Sequence, residues 1–228
     1  MTTINDQTAD SLELSKMFHE IKNPLTLINS SLQLIERDHP EVKDFRFWNQ
    51  TIKDLQNLRQ LVDDLSSFQK SNALNIHKIN LFDFTEDLLE SIESYLLEKG
   101  TPLVLESAID DLDFYADDVK LRQALINLLK NAAESSSAGS PIELSITADE
   151  QNLFLSVKDY GCGIDPEQME HLFEPFHTTK SYGTGLGLPI VKKIITSHNG
   201  AISINSGKEA GTTFLIRLPL FQNQQSVS

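Results

Sequence analysis

Between Leu14 and Ile35 an apolar residue returns at alternating steps of four and three: Leu14, Phe18, Ile21, Leu25, Ile28, Leu32 and Ile35. A repeat of about 3.5 residues puts all of these on one seam of an α-helix, and that seam needs a partner. Asp38-His39-Pro40 breaks the pattern with turn residues. A second helix is expected from about Glu41 to Lys70, with Trp48, Ile52, Leu55, Leu58, Val62 and Leu65 at similar spacing. Two helices cannot bury both seams fully on each other. An antiparallel hairpin that pairs with a second copy, giving a dimeric four-helix bundle, is expected over a hairpin that packs only on its own chain.

Past the polar stretch from Ser71 to Asn75, which reads as a linker, the periodicity changes. Leu81 to Leu97 and Asp117 to Ser135 have helical spacing, the second with Leu121, Ala124, Leu125, Leu128 and Leu129 on one face. Strands are expected at Leu103 to Leu105, at Ile142, Leu144 and Ile146, and at Leu153, Leu155 and Val157. A Gly- and Thr-rich loop follows, then a helix from Pro189 to His198 stopped by Asn199-Gly200. Ala201 to Asn205 and Thr212 to Leu218 close as paired strands. The expected fold is α+β: a helical hairpin in residues 1–75, then a sheet with helices on one face in residues 76–228.

The net charge of −14 argues against nucleic-acid binding, which usually relies on a basic patch, and against docking on an anionic membrane. Cys162 is the single cysteine, so a disulfide framework is excluded and a reducing compartment fits. Met1 to Asp10 is polar, and no run of about 18 apolar residues occurs. A soluble, cytoplasmic chain without a membrane segment is expected.

Four segments have the composition of a reactive site. In Phe18-His19-Glu20-Ile21-Lys22-Asn23-Pro24, Phe18 and Ile21 lie on the seam and His19 points away from it. Glu20 can bond one ring nitrogen and so make the other a better nucleophile. Asn23 shares the face of His19 at i+4. Pro24 inside a helix costs about 3 kcal/mol and frees the Glu20 carbonyl. A lone exposed histidine beside a tolerated kink would carry no meaning, so the segment depends on the other three. In the helix after Asp117, Asn127, Asn131 and Glu134 share one face. Asparagine is a weak helix former, and its amide oxygen suits Mg²⁺ shared with phosphates; capping or simple exposure is the competing account. Asp159-Tyr160-Gly161-Cys162-Gly163-Ile164 follows a strand, and its glycines let backbone approach a flat ligand. Gly183-Thr184-Gly185-Leu186-Gly187 leads through Leu188 and Pro189 into a helix, a start that favours anions. It matches neither the dinucleotide fingerprint nor the P-loop. Between the two glycine segments, Phe173-Glu174-Pro175-Phe176 and Thr178-Thr179-Lys180 read as a lid with one cation.

The order of these segments, over about Ser11 to Leu220, resembles the catalytic core of two-component sensor histidine kinases, most of all the nitrogen-regulation and sporulation branch. His19 to Pro24 looks like the phosphoacceptor box. Asn127 to Asn131, Asp159 to Gly163, Phe173 to Phe176 and Gly183 to Gly187 look like the N, G1, F and G2 boxes. Each alone is a weak signal; five in this order are specific. The resemblance implies a dimerisation and phosphotransfer hairpin followed by an α/β sandwich that binds ATP. It implies that His19 attacks the γ-phosphate, with Glu20 as base or orienter, and that the phosphoryl group passes to a response-regulator receiver domain. Asn23 would serve the reverse duty, dephosphorylating that partner. Asn131 and Asn127 would hold Mg²⁺, and Asp159 would read the adenine amino group. Lys130, Gly161, Gly163, Ile164, Phe176, Thr179, Lys180, Gly183, Thr184, Gly185, Leu186 and Gly187 would complete the nucleotide site. A conformational ATPase of the same sandwich fold and a scaffold with a relic nucleotide site are the alternatives; His19-Glu20 with Asn23 disfavours the first, and Asn131, Asp159 and the glycines disfavour the second.

Overall fold

The computed structural model describes residues 4–69, 73–109, 112–180, 183–207 and 210–221, with backbone alone at 4–13 and 15. Lys70 and Ser71, at the expected end of the second helix and the start of the linker, lie outside the described residues. The chain divides into two compact units. One comprises Met1–Ser71 and Glu174–Leu186, the other Asn72–Phe173 and Gly187–Ser228.

In the first unit, α1 (Ile4–Asp38) and α2 (Trp48–Gln69) form the hairpin. The second helix starts seven residues later than the periodicity suggests. Pro40 opens a 3-10 turn over Pro40–Asp44, and Phe45 leaves it with extended backbone (φ −70°, ψ 130°), so the α-helix restarts at Trp48. The hairpin core is built from Phe18, Leu25, Leu55 and Val62, with Leu14, Leu32 and Leu65 packed against it. The α1 seam therefore splits. Phe18, Leu25 and Leu32, seven apart, face α2, whereas Ile21, Ile28 and Ile35, also seven apart, stay 38–48% exposed.

The second unit is organised around a five-stranded mixed sheet of order β2-β4-β5-β7-β6. Its strands are β2 (Leu103–Ser107), β4 (Ile142–Ala148), β5 (Asn152–Asp159), β6 (Ala201–Gly207) and β7 (Gly211–Pro219). Only the β2–β4 pair is parallel. A separate two-stranded ladder, β1 (His77–Asn80) with β3 (Asp113–Ala116), has no counterpart in the sequence reading. The helices are α3 (Leu81–Lys99), α4 (Asp118–Ser135), the single turn α5 (Pro166–Met169) and α6 (Gly187–Ser197). Asn80 caps α3, its side chain accepting from Phe82 N and Asp83 N, and Gly100 ends it in the left-handed region at φ 68°. Helix α4 packs on β4 and β5 and against both α3 and α6. Its Leu121, Leu125, Leu128 and Leu129 are fully buried, as are Leu144 of β4 and Leu153 of β5. The alternation in β5 follows from one face meeting the helices and the other meeting solvent.

Candidate active site

His19, Glu20 and Asn23 all lie exposed on α1, while Phe18 beside them is buried. The helix continues through Pro24. Thr26 Oγ1 donates to the Lys22 carbonyl at 2.9 Å, and the Lys22 ammonium pairs with Asp63 of α2. The His19 segment thus sits on a helix held from its inner side, with the imidazole exposed.

In the second unit, α4 presents Asn127, Lys130 and Asn131, all half-buried. Asn127 Nδ2 points to the Gly187 carbonyl at 3.5 Å, which places it at the N-terminus of α6. That helix start has open space at Gly187, where a Cβ would meet nothing within 4 Å. Lys130 instead lies over the Tyr95 ring, 5.2 Å from its centre, and Tyr95 donates to Glu134 at 2.9 Å. Burial first, then Glu134, pushes the Tyr95 hydroxyl pKa up, so it remains a donor.

Asp159 ends β5 and is buried. Its Oδ1 accepts from Gly161 N (2.9 Å) and Thr212 N (3.2 Å), which fixes the carboxylate in one orientation. The turn after it must be glycine at 161: a Cβ there would lie 2.2 Å from the Ser135 carbonyl at the end of α4. Gly163 has φ 73°, and Ile164 N donates to Ser206 Oγ at 2.9 Å. Cys162 between them is exposed. Tyr160 is tethered to Glu143 and Lys158, and Lys158 reaches Glu143 at 3.0 Å. The Tyr160 hydroxyl and then Lys158 hold the Glu143 carboxyl below its usual range.

In the first unit, the segment expected as a lid is bonded to itself. Phe176, at φ 66°, donates its N–H to the Gly185 carbonyl at 3.0 Å. Gly185 is also left-handed, and a Cβ there would run into the Phe176 backbone at 2.5 Å. Lys180 N bonds Thr178 Oγ1, and Gly183 N bonds the Lys180 carbonyl. Thr179 and Lys180 are exposed and Leu186 is buried. Thr184 donates its hydroxyl to Asp64 at 2.5 Å.

Two family models match the chain. A His Kinase A (phospho-acceptor) domain covers residues 9–74, and a histidine kinase-, DNA gyrase B- and HSP90-like ATPase covers residues 116–222. The solved catalytic domain of histidine kinase ThkA is 31% identical, with a TM-score of 0.59 over 97% of that chain and 64% of this one. The chain belongs to the histidine kinases. This histidine kinase is also similar to sporulation kinase E of Bacillus subtilis (strain 168), at 31% identity over 91% of its own residues and 28% of that protein's. It thus spans less than a third of that relative's length. The structure of ThkA in complex with response regulator protein TrrA overlays at a TM-score of 0.67, with 27% identity over 90% of this histidine kinase and 60% of that chain. Among the described residues no helix of the histidine kinase is long and apolar enough to cross a membrane.

Sequence reasoning missed Thr212 and Ser206. The signal for Thr212 was its position after Gly211, which has φ 78° and where a Cβ would lie 2.1 Å from the Asp159 carbonyl at the β5 end. Ser206 gave no signal; it is set by strand pairing, since it faces Thr212 across β6 and β7.

Proposed function

We propose that this chain uses ATP to phosphorylate its own His19 and passes the phosphoryl group to an aspartate of a response-regulator receiver domain. The observation that carries this reading is the presence, in one chain, of an exposed His19–Glu20 step on a helical hairpin and a nucleotide cradle of α4, the Asp159–Ile164 turn and the α6 start. The ThkA complex with a response regulator supports the choice of partner.

A ring nitrogen of His19 attacks the γ-phosphorus. The N–P bond forms as the bond from that phosphorus to the β–γ bridging oxygen breaks, ADP departs, and the ring proton on the other nitrogen goes to Glu20. Phosphoryl transfer needs positioning and charge neutralisation more than covalent machinery. Asp159, held by two backbone donors, accepts from the adenine amino group. Asn131 and Asn127 would hold Mg²⁺: their amide oxygens are hard donors on a half-buried helix face beside the α6 N-terminus. Held there, the ion would supply neutralisation of phosphate charge. The glycine loop with Thr184 and Lys180 meets the phosphates. The phosphoramidate is then consumed as its N–P bond breaks and an aspartyl O–P bond forms.

In this reading residues 1–75 are the dimerisation and phosphotransfer domain, residues 76–228 the ATP-binding domain, and the protein works in the cytoplasm. Ile21, Ile28 and Ile35, left exposed on α1, are the face a second copy covers. Asn23 serves dephosphorylation of the regulator.

Incubation with γ-labelled ATP and Mg²⁺ tests the reading. Acid-labile, alkali-stable label is expected on the wild type and none on His19→Gln; equal label on both would move the acceptor elsewhere. Asn23→Ala is expected to keep the label and slow loss of phosphate from the regulator at least several-fold. Collapse of autophosphorylation in that variant would give Asn23 a different role.

A further inference from the structure

Asp159, Thr212 and Ser206 stand in one row across the sheet. Thr212 of β7 pairs with Asp159 of β5 on one side and with Ser206 of β6 on the other, both antiparallel. Residues directly opposite in such pairs carry their side chains on one face. Along β5 and β7 the rest of that face is apolar and buried, with Leu153, Leu155, Val157, Phe214, Ile216 and Leu218. Polar groups placed there need partners. The Ser206 hydroxyl has one proton and two lone pairs to offer. Ile164 N, 42 residues earlier in the chain, can only donate and does so at 2.9 Å. The Gly211 carbonyl can only accept, and takes the Ser206 proton at 3.1 Å. The third contact, with Thr212 Oγ1 at 2.9 Å, then has Thr212 as its donor.

Strand pairing requires none of these bonds, because β6 and β7 are already joined through their backbones from Ala201–Arg217 to Gly207–Gly211. What the hydroxyl adds is a link between two segments that each hold Asp159. Gly161 N lies in the turn that ends at Ile164, and Thr212 N follows Gly211; these are the two backbone donors to Asp159 Oδ1. The turn contains two glycines, one of them left-handed at φ 73°, and glycine loses the most freedom when held in one conformation. A fixed Ile164 offsets that loss. We propose that Ser206 is a positioning residue for base recognition: its hydroxyl ties the Gly161–Ile164 turn to the start of β7 and so holds the Asp159 carboxylate where it accepts from the adenine amino group. This rests on the reading of Asp159 as the residue that meets that amino group. The role concerns one group of the ligand, so loss of the hydroxyl weakens a base that bears the amino group and spares a base without it.

The test uses the full chain and a pair of variants of equal shape. Ser206→Thr keeps a hydroxyl, and Ser206→Val replaces it with a methyl group; Ser206→Ala repeats the loss without added bulk. Affinity is measured by titration calorimetry for ATP and for purine riboside triphosphate, which lacks the amino group. The wild type is expected to prefer ATP by at least about tenfold. The Val and Ala variants should bind ATP about five- to tenfold more weakly and purine riboside triphosphate within about twofold of wild type, and the Thr variant should stay within about twofold for both. Their single-turnover labelling rates at saturating ATP should match wild type within about twofold. Equal weakening of the two nucleotides would give Ser206 a general role in the fold and overturn the inference. Unchanged ATP affinity in the Val and Ala variants would overturn it as well, as would a Thr variant as weak as Val. A wild type that binds both nucleotides equally would instead defeat the reading of Asp159, and the role of Ser206 with it.

Discussion

The hairpin and the sandwich solve the problem of burial differently. In the hairpin the most enclosed apolar side chains, Phe18, Leu25, Leu55 and Val62, retain 5–8% exposure, and Ile21, Ile28, Ile35 and Leu58 stay open. In the sandwich, Leu121, Leu125, Leu128, Leu129, Leu144 and Leu153 are at 0%. A sheet with a helix layer on one face can close a core between them, while two helices can shield only one side of each seam. The sandwich is therefore expected to hold its shape alone, and the hairpin to depend on a second copy.

The largest effect should come from attacking the open side of that comparison. Ile21→Glu with Ile28→Glu places four charges in the dimer interface. Each isoleucine contributes roughly 1.5–3 kcal/mol when buried, so the dimer dissociation constant should rise by at least about a thousandfold. Sedimentation equilibrium reads this directly, and nucleotide affinity should not move. A variant that stays dimeric would mean the exposed row is not the interface. Next in size, Asn131→Ala should weaken Mg·ATP binding about tenfold, or ~1.4 kcal/mol, with sedimentation unchanged. Loss of the dimer there would show that the two regions are not independent and that Asn131 does not serve the metal.

The smallest effect concerns the sandwich's own acid tolerance. Burial lowers the His198 pKa below 6.5, outweighing the Ile194 bond and the Asp117 charge, which raise it; Lys120 nearby lowers it further. The ring is neutral in the fold, with Nε2 accepting from Asp117 N. At pH above 6.5 it is neutral in the folded and unfolded chains alike, and its contribution is complete. Below that value the unfolded chain binds a proton that the fold resists, so stability falls with pH. Tm by calorimetry should drop on acidification from pH 7 toward pH 5. His198→Gln, which retains an acceptor for Asp117 N, should flatten that slope; an unchanged slope would put the acid sensitivity elsewhere.

Much of the molecule was legible because its signals are local or periodic. The heptad spacing gave α1, alternation gave β4, β5 and the β6–β7 pair, and Asn199 does end α6 with a φ of 56°. The glycines at 161 and 185 are explained by steric contacts that no other residue permits. What was not legible depended on distance in sequence. Spacing alone cannot say which row of a seam meets the intramolecular partner, so the split between Phe18 and Ile21 needed the fold. Strands β1 and β3 are four residues each, too short for a pattern to register. The delayed start of α2 follows from a 3-10 turn that Pro40 favours and the apolar spacing conceals. The Asp117–His198 bond joins residues 81 apart, neither of which is unusual by itself.

Cys162 is exposed, sits in the turn between Gly161 and Gly163, and is the sole cysteine of the chain. A maleimide dye would accordingly attach at one position per subunit, with no engineering of the native sequence. Paired in a dimer, two such dyes would make a ruler between the two Asp159–Ile164 turns, and if those turns take nucleotide as proposed, quenching by it would report occupancy from the same atom.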